Sequence, residues 1–359
     1  MTPLVRIIAD DLSGAADCAA SFTGAVGPMS LLLHGEGEGQ VQFALDADTR
    51  VLDASAAAVR WRALGRASAR DRESLLFKKV DSTLRGHIAE ELGAFAEALP
   101  HLGTVVVAPA FPAQGRTFVN GRLSVHGAAT GRSLAGVGEA LRSDGQAARA
   151  VVLADAVEQA DLEALVQGLG GPDPSTLWVG SAGLARALAG DPPSRIEPAA
   201  LRGPLLVVCG SFSAASRAQA EALQGEFGDV VVSVAAAAPS PHVAAMAVRV
   251  MQAHGVALVR LDTESAPERG SRSIVEALAA VLREAARRCG TLALTGGDTA
   301  RAMMEALEVT EIFVEGELEP GMAVTAPIEP YGFRAVLKAG GFGDPDAWVR
   351  LARAVGSDR

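Results

Sequence analysis

Val5-Arg-Ile-Ile-Ala-Asp-Asp-Leu-Ser-Gly-Ala-Ala-Asp17 decides the fold class. An apolar run too short to be anything but a strand is stopped by two aspartates, and a small-residue helix begins directly behind them. The same order returns along the chain. Strands are expected at Val5–Asp10, Val41–Asp46, Leu75–Asp81, Thr104–Ala108, Ala150–Ala154, Leu177–Gly180, Leu205–Gly210, Val230–Val234, Ala257–Asp262, Thr291–Thr295 and Ala335–Ala339. Helical stretches lie between them, among others at Asp53–Leu64, His87–Leu99, Ala214–Leu223, Ser273–Arg288 and Thr299–Leu307. Continuous apolar strands alternating with helices predict an α/β protein with largely parallel sheets flanked by helices.

The proline-rich polar stretch Asp191-Pro-Pro-Ser-Arg-Ile-Glu-Pro198 separates a helix from a new buried strand. It predicts two domains, residues 1–195 and 196–359, each long enough for its own core. With 49% apolar and 21% charged residues the chain is globular in composition, and its 4% aromatics predict a core of Ala, Val and Leu. No apolar run is long enough to cross a bilayer, and the N-terminus reads as a first strand and not as a signal peptide. Cys18, Cys209 and Cys289 are scattered, which suits a reduced cytoplasm. A net charge of −10 argues against nucleic acid or an anionic membrane as partner. It leaves room for a small anionic substrate if positive charge is gathered locally. Of 32 basic residues only Lys78, Lys79 and Lys338 are lysines, and all three fall in chemical motifs, predicting that they contact ligands.

Those motifs sit at strand exits, where open α/β sheets bind ligands. Asp10 and Asp11 form an acidic pair suited to accepting a proton or binding hydroxyls; the same residues also fit a turn and a helix N-cap. In Lys78-Lys-Val-Asp-Ser-Thr-Leu-Arg-Gly86, strand alternation puts Lys79 and Asp81 on one face. Arg85 is then placed to clamp a carboxylate while Asp81 and Ser82 take hydroxyls. Arg50 ends a third strand exit. Gln114 and Arg116 lie in Pro109-Ala-Phe-Pro-Ala-Gln-Gly-Arg-Thr117, which reads equally as a structural loop, and the lone His126 reads as structural.

The second half is written in glycine. Cys209-Gly-Ser-Phe-Ser213, Thr295-Gly-Gly-Asp-Thr299 and Lys338-Ala-Gly-Gly-Phe-Gly343 each follow a strand, and the first two open helices. Such turns offer free N–H groups to phosphate. None is a P-loop or the dinucleotide fingerprint G-x-G-x-x-G. A dinucleotide-dependent oxidoreductase is therefore disfavoured, and a non-catalytic sugar-acid or nucleotide sensor is the other alternative.

In order along the chain, these motifs resemble those of the four-carbon acid sugar kinase family, and Val179-Gly-Ser-Ala-Gly-Leu-Ala185 adds one more. The resemblance implies an ATP-dependent kinase of threonate, erythronate or an oxo-tetronate, using Mg²⁺. It further implies that the N-terminal domain binds the acid, the C-terminal domain binds ATP, and the active site lies in the cleft between domains. On the substrate side it implicates Asp10, Asp11, Arg50, Lys79, Asp81, Ser82 and Arg85. Because an attacking alcohol must lose its proton to a group within reach, Asp11 and Asp81 are the candidate catalytic bases, with Asp10 behind them. On the nucleotide side it implicates Ser213, Gly296, Gly297, Asp298, Thr299 and Gly341. Ser13 stands where relatives carry Thr, and the segment after Val125 is shorter than theirs. A homodimer is left open.

Overall fold

The computed structural model describes residues 4–37, 39–142, 149–235, 240–262 and 272–356. The chain forms two compact units, Met1–Ser194 and Arg195–Arg359. Among the described residues no helix is long and apolar enough to cross a membrane.

The first unit runs β1 (Val5–Ala9), α1 (Leu12–Val26), β2 (Met29–Leu32), β3 (Phe43–Asp46), α2 (Ala54–Ser68), β4 (Leu75–Lys79), α3 (Ile88–Glu97) and β5 (Thr104–Ala108). It continues through β6 (Arg116–Val119), β7 (Arg122–Val125), β8 (Ala128–Ser133), α4 (Ala135–Arg142), β9 (Ala150–Leu153), α5 (Gln159–Gly168), β10 (Thr176–Gly180) and α6 (Ala182–Ala189). Its main sheet is wholly parallel, in the order β2-β3-β1-β4-β10-β5-β9. The chain leaves β1 to build β2 and β3 on one side, then crosses back to lay β4 on the other. The carboxyl ends of β1 and β4 therefore flank a topological switch point, where ligands bind in such sheets.

The second unit runs β11 (Leu205–Cys209), α7 (Ala214–Phe227), β12 (Val231–Val234), α8 (Pro241–His254), β13 (Val256–Leu261), α9 (Arg272–Ala286) and β14 (Thr291–Thr295). After these come α10 (Gly297–Ala306), β15 (Glu311–Glu317), β16 (Met322–Ile328), β17 (Phe333–Lys338) and α11 (Ala347–Gly356). The order β12-β13-β11-β14-β17 is parallel, with β16 and β15 added antiparallel beyond β17. Here the order reverses between β11 and β14. Every residue of these two strands is buried, which is why they read as unbroken apolar runs. Leu223 of α7 and Trp348 and Leu351 of α11 join Leu205, Val207 and Val336 in one core cluster.

The α/β class with its mainly parallel sheets is as expected, but residues 116–133, where no strands are expected from the sequence beyond the loop Pro109–Thr117, are ordered. They form a three-stranded antiparallel sheet. Its two reversals are the left-handed pairs Asn120-Gly121 (φ 50° and 67°) and His126-Gly127 (φ 49° and 80°), the backbone that tight hairpins need. Asn-Gly was a hairpin signal in plain view. The antiparallel β15–β16 ribbon was likewise not anticipated.

Candidate active site

Parallel register brings the acidic pair to its partners. Ala9 aligns with Asp46 of β3 on one side and Lys79 of β4 on the other, so the residues just past these strands share one edge. Asp11 caps α1, accepting from the Gly14 amide at 2.9 Å through Oδ1, while its Oδ2 accepts from Ser13 Oγ at 2.9 Å and Arg50 Nη1 at 2.6 Å. The cap and the charged cluster are thus one arrangement. Asp10 Oδ2 accepts from Arg50 Nε and Nη2 at 3.0 and 2.7 Å. Lys79 Nζ lies 4.0 Å from Asp10 Oδ1, and a Cβ at Gly14 would fall 2.6 Å from that ammonium, so glycine there makes room for the lysine.

Asp81 gathers the next turn. Its Oδ2 accepts from the Thr83 amide and hydroxyl, the Arg85 amide and Arg85 Nε, and its Oδ1 accepts from Arg85 Nη2 at 2.8 Å. Arg50 Nη2 stands 3.6 Å from the same Oδ1. Ser82 is buried beside it. Arg132 of the β7–β8 hairpin reaches the turn as well, donating to the Thr83 carbonyl at 2.5 Å.

Asp10, Asp11 and Asp81 share this edge with Arg50, Lys79 and Arg85, yet the three carboxylates are not equivalent. Burial pushes Asp10 above its ordinary value despite Arg50 and Lys79. Burial also acts upward on Asp11 and Asp81, but for Asp11 the charges of Arg50 and Lys79 outweigh it. For Asp81, Arg50 and Arg85 hold the carboxyl well below the usual range. Of the three carboxylates, only Asp10 keeps an oxygen, Oδ1, that is buried and without a hydrogen bond among the described residues. Arg85 is the one cation of the three with an exposed side chain, at 55%.

Sequence reasoning put Lys79 and Asp81 on one face, and they share this edge. Lys78 faces away: fully buried, it pairs with Glu91 Oε2 at 2.9 Å and lies over the Trp61 ring, so the expectation that every lysine meets a ligand does not hold for it. Strand parity sends alternate residues to opposite sides of the sheet. Glu91 itself was missed. The signal was its place in Ile88, Glu91, Leu92 and Phe95, the buried stripe of α3. His126 lies at the β7–β8 reversal, its backbone N–H donating to the Gly115 carbonyl at 2.7 Å.

In the second unit the three glycine turns follow β11, β14 and β17, which are neighbours. A Cβ on Gly210 would fall 2.4 Å from Thr299 Oγ1, and one on Gly340 would fall 2.2 Å from Ser211 Oγ, so the turns touch through positions that exclude side chains. Gly296 has φ 99°, a conformation glycine adopts at little cost. Its amide donates to the Lys338 carbonyl at 2.8 Å, tying the second turn to the third. Ser213 caps α7, and its hydroxyl and that of Ser216 lie 2.6 and 2.9 Å from the Gly340 carbonyl oxygen. Lys338 Nζ donates to the carbonyls of Ala339 at 3.1 Å and Phe342 at 3.0 Å, and burial pulls it down to about 8. Carbonyls of the third turn are thus held by protein donors. Helix α10 begins at Gly297, two residues earlier than expected, so Asp298 lies in its first turn, exposed, and does not cap it.

Residues 5–136 match a family model described as a sugar-binding N-terminal domain, and residues 206–348 one described as a nucleotide-binding C-terminal domain. The chain is 34% identical to a D-threonate kinase of Cupriavidus necator and 31% identical to a D-threonate kinase of Bordetella bronchiseptica, each over 98% of both proteins. It is 28% identical to a 3-oxo-tetronate kinase of Cupriavidus necator over 99% of this chain and 98% of that one.

Proposed function

The chain belongs to the four-carbon acid sugar kinase family, and on that premise we propose that it moves the γ-phosphoryl group of ATP onto a hydroxyl of a four-carbon sugar acid (threonate, erythronate or an oxo-tetronate). Residues 1–195 bind the acid and residues 196–359 the nucleotide. The observation that carries the reading is Asp10. Of the three carboxylates it alone, among the described residues, has a buried oxygen free to accept a proton, and its raised pKa makes it a better base at neutral pH than Asp11 or Asp81. The acid's hydroxyl oxygen attacks the γ-phosphorus, its proton passes to Asp10 Oδ1, and ADP departs.

Around that base the other residues bind and orient. Arg85, exposed and bidentate on Asp81, is free to turn one edge of its guanidinium to the substrate carboxylate. Lys79, Arg50 and Ser82 line the same edge. The amide-rich turns at Ser213, Gly296–Thr299 and Gly341 take the phosphates, their glycines permitting close backbone approach. Asp298, exposed in the first turn of α10, would hold Mg²⁺, which neutralises phosphate charge when bound. Three free cysteines suit the cytoplasm as the place of reaction.

A coupled ADP-release assay with ATP and Mg²⁺ over D- and L-threonate, D- and L-erythronate and the oxo-tetronates tests the proposal. Turnover with at least one of them, lost in excess EDTA, is expected. ADP release independent of every acid would overturn it.

A further inference from the structure

One buried charged pair lies behind the acid-binding edge without touching it. Glu91, 1% exposed, uses both carboxylate oxygens: Oε2 takes the Lys78 ammonium at 2.9 Å, and Oε1 takes the Thr49 hydroxyl at 2.8 Å. The Thr49 oxygen in turn accepts from Trp61 Nε1 at 2.9 Å. The turn after β3, α3 and α2 thus meet on one hydroxyl, and β4 joins them through Glu91. A buried ion pair contributes little to stability compared with apolar residues of the same shape, so burial alone does not account for it.

Its position accounts for it better. Thr49 precedes Arg50, and the amides of both donate to the Asp10 carbonyl at 3.2 and 3.3 Å. The turn is entered through Asp48 at φ 54°, a conformation disfavoured for residues other than glycine that its surroundings must hold. The backbone of the turn is therefore fixed from the β1 side by Asp10 and from the helical side by Glu91. We propose that Glu91, anchored by Lys78, is a positioning residue: it holds the Thr49 hydroxyl and thereby sets where the Arg50 guanidinium meets Asp10 and Asp11. This rests on the acid-kinase reading for its kinetic consequence, though not for its geometry.

Thr49→Val in the full chain tests it, because valine keeps the shape and removes the hydroxyl. Loss of the hydroxyl's two buried hydrogen bonds, one to Glu91 and one from Trp61, predicts a rise of about tenfold or more in KM for the acid with KM for ATP unchanged, and Thr49→Ser should return the acid KM to within about twofold. In an Arg50→Ala background, Thr49→Val should add less than about twofold, since the residue it acts through is gone. Additive effects, or equal rises in both KM values, would overturn the positioning role. If wild type turned over no four-carbon acid, the functional reading would fail by itself. A crystal structure of ligand-free Thr49→Val then still decides the geometric claim. Arg50 displaced from its 2.6–3.0 Å contacts with Asp10 and Asp11 supports it, and an unmoved Arg50 refutes it.

Discussion

Replacing Asp10 and Asp81 in turn by asparagine should have opposite consequences for stability, although the two carboxyls face the same arginine. The folded protein holds Asp81 well below its ordinary value of 3.8, so the ionised group stabilises the fold above that pH and the contribution fades as pH falls through the folded value. The Asp81→Asn variant forfeits the charge on bonds from Arg85 Nε and Nη2. Charge-assisted bonds are worth roughly 1.5–3 kcal/mol each, and the exposure of Arg85 discounts them. A net loss of about 2 kcal/mol follows, or about 4–8 °C in Tm for a unit of this size. Asp10 is the reverse case. Its pKa is raised, so ionisation at neutral pH is less favourable folded than unfolded, and Asp10→Asn should leave Tm unchanged or higher. The same substitution removes the proton acceptor and should lower kcat by about 10² or more with KM for ATP unchanged. Differential scanning calorimetry between pH 3 and pH 8, paired with steady-state kinetics, reads both. The Asp81→Asn deficit should shrink below roughly pH 4. Equal losses of Tm in the two variants, or near-normal kcat in Asp10→Asn, would refute the reasoning.

Arg85→Ala should raise KM for the acid by about ten- to a hundredfold, by removing one charge-assisted contact, and leave ATP affinity by calorimetry within about twofold; loss of ATP binding with the acid spared would reverse the assignment of ligands to the two halves. Gly340→Ala places a Cβ 2.2 Å from Ser211 Oγ, so the first and third turns must separate, and KM for ATP should rise more than KM for the acid. Lys338 titrates near 8 in the fold against an ordinary 10.5, so the unfolded chain binds more protons between those values and stability should rise with pH across them, by about 3 kcal/mol at most. Lys338→Met should abolish that rise, as urea unfolding at pH 7.5 and pH 10 would show.

What the sequence determined by itself was whatever depends on neighbours along the chain. Apolar runs stopped by Asp10, by Asp81 or by Gly296 carry strand, exit and helix start within a dozen residues, because pleat and helical period are local properties. Strand parity alone set Lys79 with Asp81. The ordered motifs carried the family. Where Lys78 goes was decided only by packing: a lysine and a glutamate at core positions become tolerable only once α3 is laid against β4. Choosing among Asp10, Asp11 and Asp81 was beyond the sequence for the same reason. Three aspartates near strand ends have identical intrinsic chemistry, and what separates them is which arginine nitrogens, amides and hydroxyls arrive from residues 13, 50, 83 and 85 in the folded chain.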